Sequence, residues 1–146
     1  MPEPAFAPAR GPFVLLIEAE PMLRLTMTKF LQRSGYRVYA CADAAAAESL
    51  LADGRTRPAL IVLGVRVLGR DAALDACRLR EAAPETPMLG VADAIEEVGD
   101  APALPDNLRF LAHPFDMPDV LRAIRSSLRQ SGASPRRSGA EAAIGS

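Results

Sequence analysis

The sequence predicts a three-layer α/β/α sandwich built on a five-stranded parallel sheet. Three features predict it. Short runs such as Val14-Leu15-Leu16-Ile17 and Leu60-Ile61-Val62-Leu63 are apolar at every position, helical stretches separate them, and glycine or proline marks most of the switches. A strand with no polar alternation is covered on both faces, and strands alternating with helices build parallel sheets. The 146 residues are about one domain's worth, and 49% apolar with 24% charged is enough to bury a core and stay solvated.

The elements follow in order. Val14 to Ile17 is the first strand. Pro21 to Ser34 carries Met22, Leu23, Thr26, Phe30 and Leu31 at helical spacing, with Pro21 in the first turn and Gly35 after the last. Arg37 to Cys41 is the second strand, and Asp43 caps an alanine-rich helix to Ala52, closed by Gly54. Leu60 to Leu63 is the third strand. Asp71 to Ala83 forms a helix, with Asp71 as its cap, and Met88 to Val91 is the fourth strand. Asp93 to Val98 is expected to give one short helix, which Gly99, Pro102 and Pro105 break into a loop. Leu108 to Ala112 is the fifth strand, and Met117 to Gln130 the last helix, with Pro118 in its first turn. At this length a flavodoxin-like strand order, 2-1-3-4-5, is the natural topology.

The ends differ from the middle. Residues 1–12 hold four prolines and read as a disordered arm, 13–130 as the folded domain, and the Ser-, Gly-, Ala- and Arg-rich 131–146 as a flexible tail. The tail is expected to be too short for an output module. Seventeen basic residues against eighteen acidic ones leave a net charge of -1, which gives no electrostatic case for a nucleic-acid or membrane-surface partner. Lys29 is the only lysine, a bias read as genomic composition and not as arginine-driven recognition. No basic, apolar leader opens the chain, and two cysteines, Cys41 and Cys77, support neither a disulfide scaffold nor a zinc site. The expected location is cytoplasmic.

Ligands of open parallel sheets bind outside the carboxyl ends of the strands. There the chain carries Glu18-Ala19-Glu20, Gly64-Val65-Arg66, Ala92-Asp93 and His113-Pro114-Phe115. Residues 14–21 resemble the opening acidic motif of bacterial response-regulator receiver domains. Pro58 to Gly64 resembles that family's third strand, which ends in the phospho-accepting aspartate. Leu111 to Phe115 resembles its fifth strand, which ends in a lysine before Pro-Phe. Gly35 to Val38 and Thr86-Pro87 fit as well, and the resemblance spans about residues 13 to 130.

The departures from this family carry the functional reading. The resemblance implies that a carboxylate attacks the phosphodonor while magnesium neutralises the phosphoryl group, an ion that wants nearly octahedral oxygen ligands. Gly64 stands at the acceptor position and has no side chain. Of the two metal-holding acids, the first is Glu18 and the second is Ala19. Ala92 replaces the hydroxyl residue and His113 the lysine, while Phe110 matches the switch aromatic. No catalytic residue and no metal site are assigned, no cofactor is expected, and magnesium binding is expected to be lost or weak.

Plainer roles stand beside these. Glu18 and Glu20 are read as a remnant acidic pocket, solvated or paired with Arg66 or Arg24. His113 is read as a strand-end residue filling the space of the lost lysine, with a pH sensor as its rival. Arg66 is either a cation in the vacated pocket or a solvated side chain. Asp71 and Asp93 are the candidate surrogate carboxylates, and the cysteines are read as small buried hydrophobes.

The expected function is that of a degenerate, stand-alone receiver (a pseudo-receiver) in two-component, phosphorelay-type signalling. It would not be an enzyme and would act by phosphorylation-independent protein–protein contact. The expected partner is a histidine kinase, another receiver or a scaffold, and a homodimer stays open. The resemblance implies a docking surface built from the fourth helix, the fifth strand and the last helix; the broken 93–107 stretch sits in it, so either the contact is remodelled there or the partner uses the first helix instead. Two alternatives are kept: a small-ligand or nucleotide sensor using the emptied pocket, and an active phosphorelay receiver with a surrogate carboxylate.

Overall fold

The computed structural model describes residues 11–68, 70–95, 105–112 and 114–133. The element order is β1 (Phe13–Ile17), α1 (Pro21–Arg33), β2 (Arg37–Cys41), α2 (Ala44–Leu51), β3 (Leu60–Leu68), α3 (Arg70–Ala82), β4 (Met88–Ile95), β5 (Leu108–Ala112) and α4 (Met117–Ala133). The strands form one parallel sheet in the order β2-β1-β3-β4-β5, as the sequence predicts.

Strand alternation sorts the core into two layers. Val14, Leu16, Leu60, Val62, Leu89 and Val91 point to one face, where Met27 and Leu31 of α1 and Val120 and Ile124 of α4 cover them. Leu15, Ile17, Ile61, Leu63 and Met88 point to the other, under Ala44, Ala47 and Leu51 of α2 and Ala76 and Leu79 of α3. The α2 and α3 side is thus covered largely by alanines, and the α1 and α4 side by longer side chains.

The helix ends are closed by local chemistry. Behind α1, Gly35 takes a φ of 101°, a left-handed conformation that only glycine adopts cheaply. The Tyr36 N–H then donates to the Leu31 carbonyl at 3.1 Å and the Gly35 N–H to that of Gln32 at 3.0 Å. This Schellman pair satisfies two carbonyls at the end of the helix. At the start of α4, the Asp116 N–H donates to Asp119 and the Asp119 N–H to Asp116, both at 2.9 Å. That reciprocal box holds the Asp119 carboxyl below its ordinary range, chiefly through the Asp116 N–H.

Four boundaries differ from the sequence expectation. β3 does not stop at Leu63 but continues to Leu68, and β4 continues to Ile95, with Val65 opposite Ala92 and Val67 opposite Ala94. The ladder therefore overrides the helix expected from Asp93, at least through Ile95; the rest of that expected helix, and the loop to 104, lie outside the described residues. Asp71 is not the cap of α3 but sits in its first turn, where its charge favours the helix dipole. The last helix runs to Ala133, so 131–133 are helical and not part of a flexible tail. The arm to residue 10 and the tail from 134 lie outside the described residues.

Candidate functional site

β1 and β3 pair with Ile17 opposite Leu63, so the residues that follow, Glu18 and Gly64, face each other at the carboxyl edge of the sheet. Strand alternation directs both toward the α1 side. Glu18 is buried, with 9% of its surface exposed. Its Oε2 accepts a hydrogen bond from the Glu20 N–H at 3.0 Å. Its Oε1 fills the space a side chain at 64 would need: a Cβ on Gly64 would lie 2.3 Å from that oxygen and 3.3 Å from both the Glu18 Cδ and the Ile17 carbonyl oxygen. The glycine is required by this close approach, not by its backbone conformation.

The other acid of the pair has a different task. Glu20 is the N-cap of α1, and its Oε1 accepts from the Leu23 N–H at 2.7 Å. Ala19 is exposed and contributes no ligand atom from its side chain. Arg24 does not pair with the carboxylates. Its guanidinium donates to the backbone carbonyls of Glu18 at 2.8 Å and Ala19 at 3.4 Å, which fixes the turn between β1 and α1. Arg66 is exposed at the rim and forms no ion pair with Glu18.

A cleft of about 620 Å³ opens at this edge, lined by Glu18, Glu20, Asp43, Asp71, Asp75 and Arg66, with Ala19, Ala42, Val65 and Ala72 as apolar wall. A second, narrower one of about 230 Å³ lies on the α1 side and shares Glu18, Glu20, Val65 and Arg66 with it; Asp93 lines only that one. The sequence reading used Asp43 only as a cap and passed over Asp75. Asp43 is indeed the N-cap of α2, with its Oδ1 accepting from the Ala46 N–H at 2.8 Å. Asp75 lies one helical turn beyond Asp71, and that i, i+4 spacing was the available signal. Among the described residues, no three His, Cys, Asp or Glu side chains are grouped so that they could hold a metal ion.

Asp75 carries an electrostatic consequence of this crowding. Burial raises its carboxyl above the ordinary range, Arg78 opposes the rise, and Asp71, Glu48 and Asp43 add to it. A raised folded value means that the folded chain holds this proton more tightly than the unfolded one. The stability it contributes is present below the ordinary aspartate range and is lost as pH rises through the folded value. Asp75→Asn is therefore expected to be slightly more stable than the parent at pH 7 and indistinguishable from it in acid. Thermal unfolding at both pH values checks this, and a less stable variant at pH 7 would contradict it.

Phe110 and Ala92 belong to the opposite face. Phe110 is half-buried on β5 and packs in a small cluster with Ala72, Ala92 and Val65 under α3. Neither lies beside Gly64, so the sequence-predicted site residues separate into an acidic edge and an aromatic cluster. Cys41 and Cys77 are both partly buried. Burial, then the Asp43 charge, pushes the Cys41 thiol up, against a backbone hydrogen bond at Asp43 and the charge of Arg24, which favours an inert thiol. His113 lies outside the described residues.

Comparison with known proteins supplies the family context. No protein-family model matches the sequence. The chain is 29% identical over 136 residues to the probable transcriptional regulatory protein TcrX of Mycobacterium tuberculosis, covering 90% of this chain and 56% of TcrX. It thus spans little more than half of that relative. Among solved structures, it resembles the signal receiver domain of an HD domain-containing protein from Pseudomonas fluorescens Pf-5, with a TM-score of 0.67, 18% identity, and 86% and 100% of the two chains covered. A response regulator receiver protein from Sinorhizobium medicae WSM419 gives 0.65 and 21%, with 84% and 98% covered. The receiver domain of the hybrid histidine kinase CckA gives 0.62 and 19%, with 80% and 98% covered. With the strand order and the strand-end cleft, these similarities show that the chain has the fold of response-regulator receiver domains.

Proposed function

We propose that the chain is a degenerate receiver, which works in two-component-type signalling by protein–protein contact and is not itself phosphorylated. One observation carries this reading. At the acceptor position stands Gly64, and the volume its side chain would occupy is filled by the carboxylate of Glu18. A glycine cannot form an acyl phosphate, and a neighbour fills the space in which an acceptor would sit.

The remaining donors support the same reading. Magnesium needs several oxygens converging on one point. Glu18 spends one oxygen on the Glu20 N–H, Glu20 spends one on its helix cap, and Ala19 and Gly64 have none to offer. The residues present do not fit that ion. Ala92 has no hydroxyl with which to sense a phosphoryl oxygen. The partner is a histidine kinase, another receiver or a scaffold, with β5 and α4 as the described part of the docking surface. No helix among the described residues is long and apolar enough to cross a membrane, which suits the cytoplasmic site proposed for this contact.

Incubation with acetyl phosphate and magnesium is expected to leave the mass of the protein unchanged, and beryllofluoride its amide spectrum. One added phosphoryl group that hydroxylamine removes would sink the proposal and favour a surrogate acceptor. Asp71 and Asp93, both exposed near this edge, are the carboxylates to replace in that event.

A further inference from the structure

The near-zero net charge of the chain hides an uneven distribution. α1 holds Arg24, Lys29 and Arg33 and no acid, and α4 holds Arg122, Arg125 and Arg129 against Asp119 alone. Arg24 is turned to backbone carbonyls, and Arg122 pairs with Asp119. Lys29, Arg33, Arg125 and Arg129 are exposed, and none of them makes a side-chain hydrogen bond or ion pair with another described residue. Met22 and Leu25, 65% and 48% exposed, precede Lys29 on one outward stripe of α1 at i, i+3 and i+7 spacing.

The other side of the sheet carries the opposite pattern. Asp43, Glu48 and Asp71 all act on the Asp75 carboxyl, so these acids gather across α2 and α3, and Arg78 is the base that opposes them. Leu74, 40% exposed, stands next to Asp75 on α3. α1 and α4 cover one face of the sheet and α2 and α3 the other, so no chain can bring its own two patches together.

We infer that the basic α1–α4 face docks on the acidic α2–α3 face of a second copy of this chain. The inference rests on the partner-contact reading above and makes the partner an identical receiver. Because the two patches differ and lie on opposite sides, the contact is heterologous, and copies add head to tail instead of closing as a two-fold dimer. Lys29, Arg33, Arg125 and Arg129 would meet Asp43, Glu48, Asp71 and Asp75. Met22 and Leu25 on one side and Leu74 on the other give the contact an apolar part, for which a phosphate backbone has no use. Exposed ion pairs are individually weak, so the assembly is weak and sensitive to salt.

The test is sedimentation velocity of the whole chain over a concentration series, at low salt and at about 1 M salt, where charges are screened beyond about 3 Å. The parent is expected to grow from monomer to dimer and larger species at low salt, and to return to monomer at high salt. Lys29→Gln/Arg125→Gln/Arg129→Gln removes one face and Glu48→Gln/Asp71→Asn the other, with circular dichroism to check that each variant folds. Alone, each should associate about tenfold or more weakly than the parent, and an equimolar mixture should give a one-to-one dimer that grows no further. A parent that stays monomeric at low salt, association that persists at high salt, or a mixture that stays monomeric would each overturn the inference. Binding of duplex DNA or of phosphatidylserine vesicles through Lys29, Arg125 and Arg129, without self-association, would overturn it too and assign the face to another class of partner. Failure here is separable from failure of the proposed function. A monomeric chain that takes no phosphoryl group refutes only this inference, whereas a phosphoryl adduct refutes the pseudo-receiver itself.

Discussion

Gly64→Asp is expected to destabilise the protein by about 2–4 kcal/mol at neutral pH, and to leave it unable to accept a phosphoryl group. A Cβ at this position collides with the Glu18 Oε1, so the carboxylate must swing away. That oxygen is the far end of a flexible chain beside an open cleft, so the backbone need not distort. The swing costs the Glu20 N–H bond, a charged hydrogen bond worth about 1.5–3 kcal/mol, and the new carboxylate adds repulsion of the order of 4 kcal/mol at 4 Å before solvent and rearrangement reduce it. Gly64→Ala keeps the steric part without the charge and should cost less. Combined with Glu18→Ala, either substitution should lose most of its penalty, so a double-mutant cycle in urea isolates the pair. The repulsion disappears once one carboxylate is protonated, so the Gly64→Asp penalty should shrink as pH falls through the carboxylate range. Full stability of Gly64→Asp at pH 7 with Glu18 intact would refute the interlock. Magnesium-dependent phosphorylation of that single variant would show that the alanines at 19 and 92 are not disabling.

The architecture was legible because strand burial and helix punctuation are local signals. Leu60 to Leu63, a short apolar run bounded by Pro58 and Gly64, reads as a strand covered on both faces, and Gly35 reads as the left-handed residue that closes a helix. The length of β3 was less legible, because Gly64 reads as a stop. Val65-Arg66-Val67 nevertheless alternates with period two, the pattern of a half-covered strand, and it pairs with β4 as such. Ala94-Ile95-Glu96-Glu97 has good helical propensity, and the tertiary ladder outweighs it at its first two residues. The site was legible as a place, from the strand ends, and as a set of losses, from the substituted residues. Its main contact was not. That Glu18 fills the missing side chain of Gly64 depends on the β1–β3 register and on a side-chain rotamer, and a sequence displays neither. The roles of Arg24 and Glu20 were hidden for the same reason: each charge is spent on backbone groups of the turn that carries it.

The second large effect is expected at Ala92. Its side chain is 1% exposed and lies in the small cluster with Ala72, Val65 and Phe110, so a larger residue at 92 must displace one of these neighbours. Gly90, on the same face of β4, also borders Phe110: a Cβ there would lie 3.4 Å from that of Phe110, an ordinary packing distance. Overpacking a buried site such as Ala92 typically costs about 1–3 kcal/mol, and the least constrained group to yield is the half-buried ring. Ala92→Val is therefore expected to lower stability by about that amount and to drive Phe110 outward, with new millisecond exchange on β4 and β5. The parent should show little exchange there. A ligand shifts a two-state equilibrium only through differential affinity, and this chain offers no phosphoryl group and no hydroxyl at 92 to favour an alternative ring position. Phe110→Ala should cost about 2–3 kcal/mol, below the range for a fully buried phenylalanine because the ring is only half covered. Relaxation dispersion on the parent and on Ala92→Val decides the matter. Strong exchange in the parent would mean that the aromatic still switches and answers to another ligand; its absence, with exchange appearing in Ala92→Val, would leave a surface held permanently in one state by the small side chain beneath the ring.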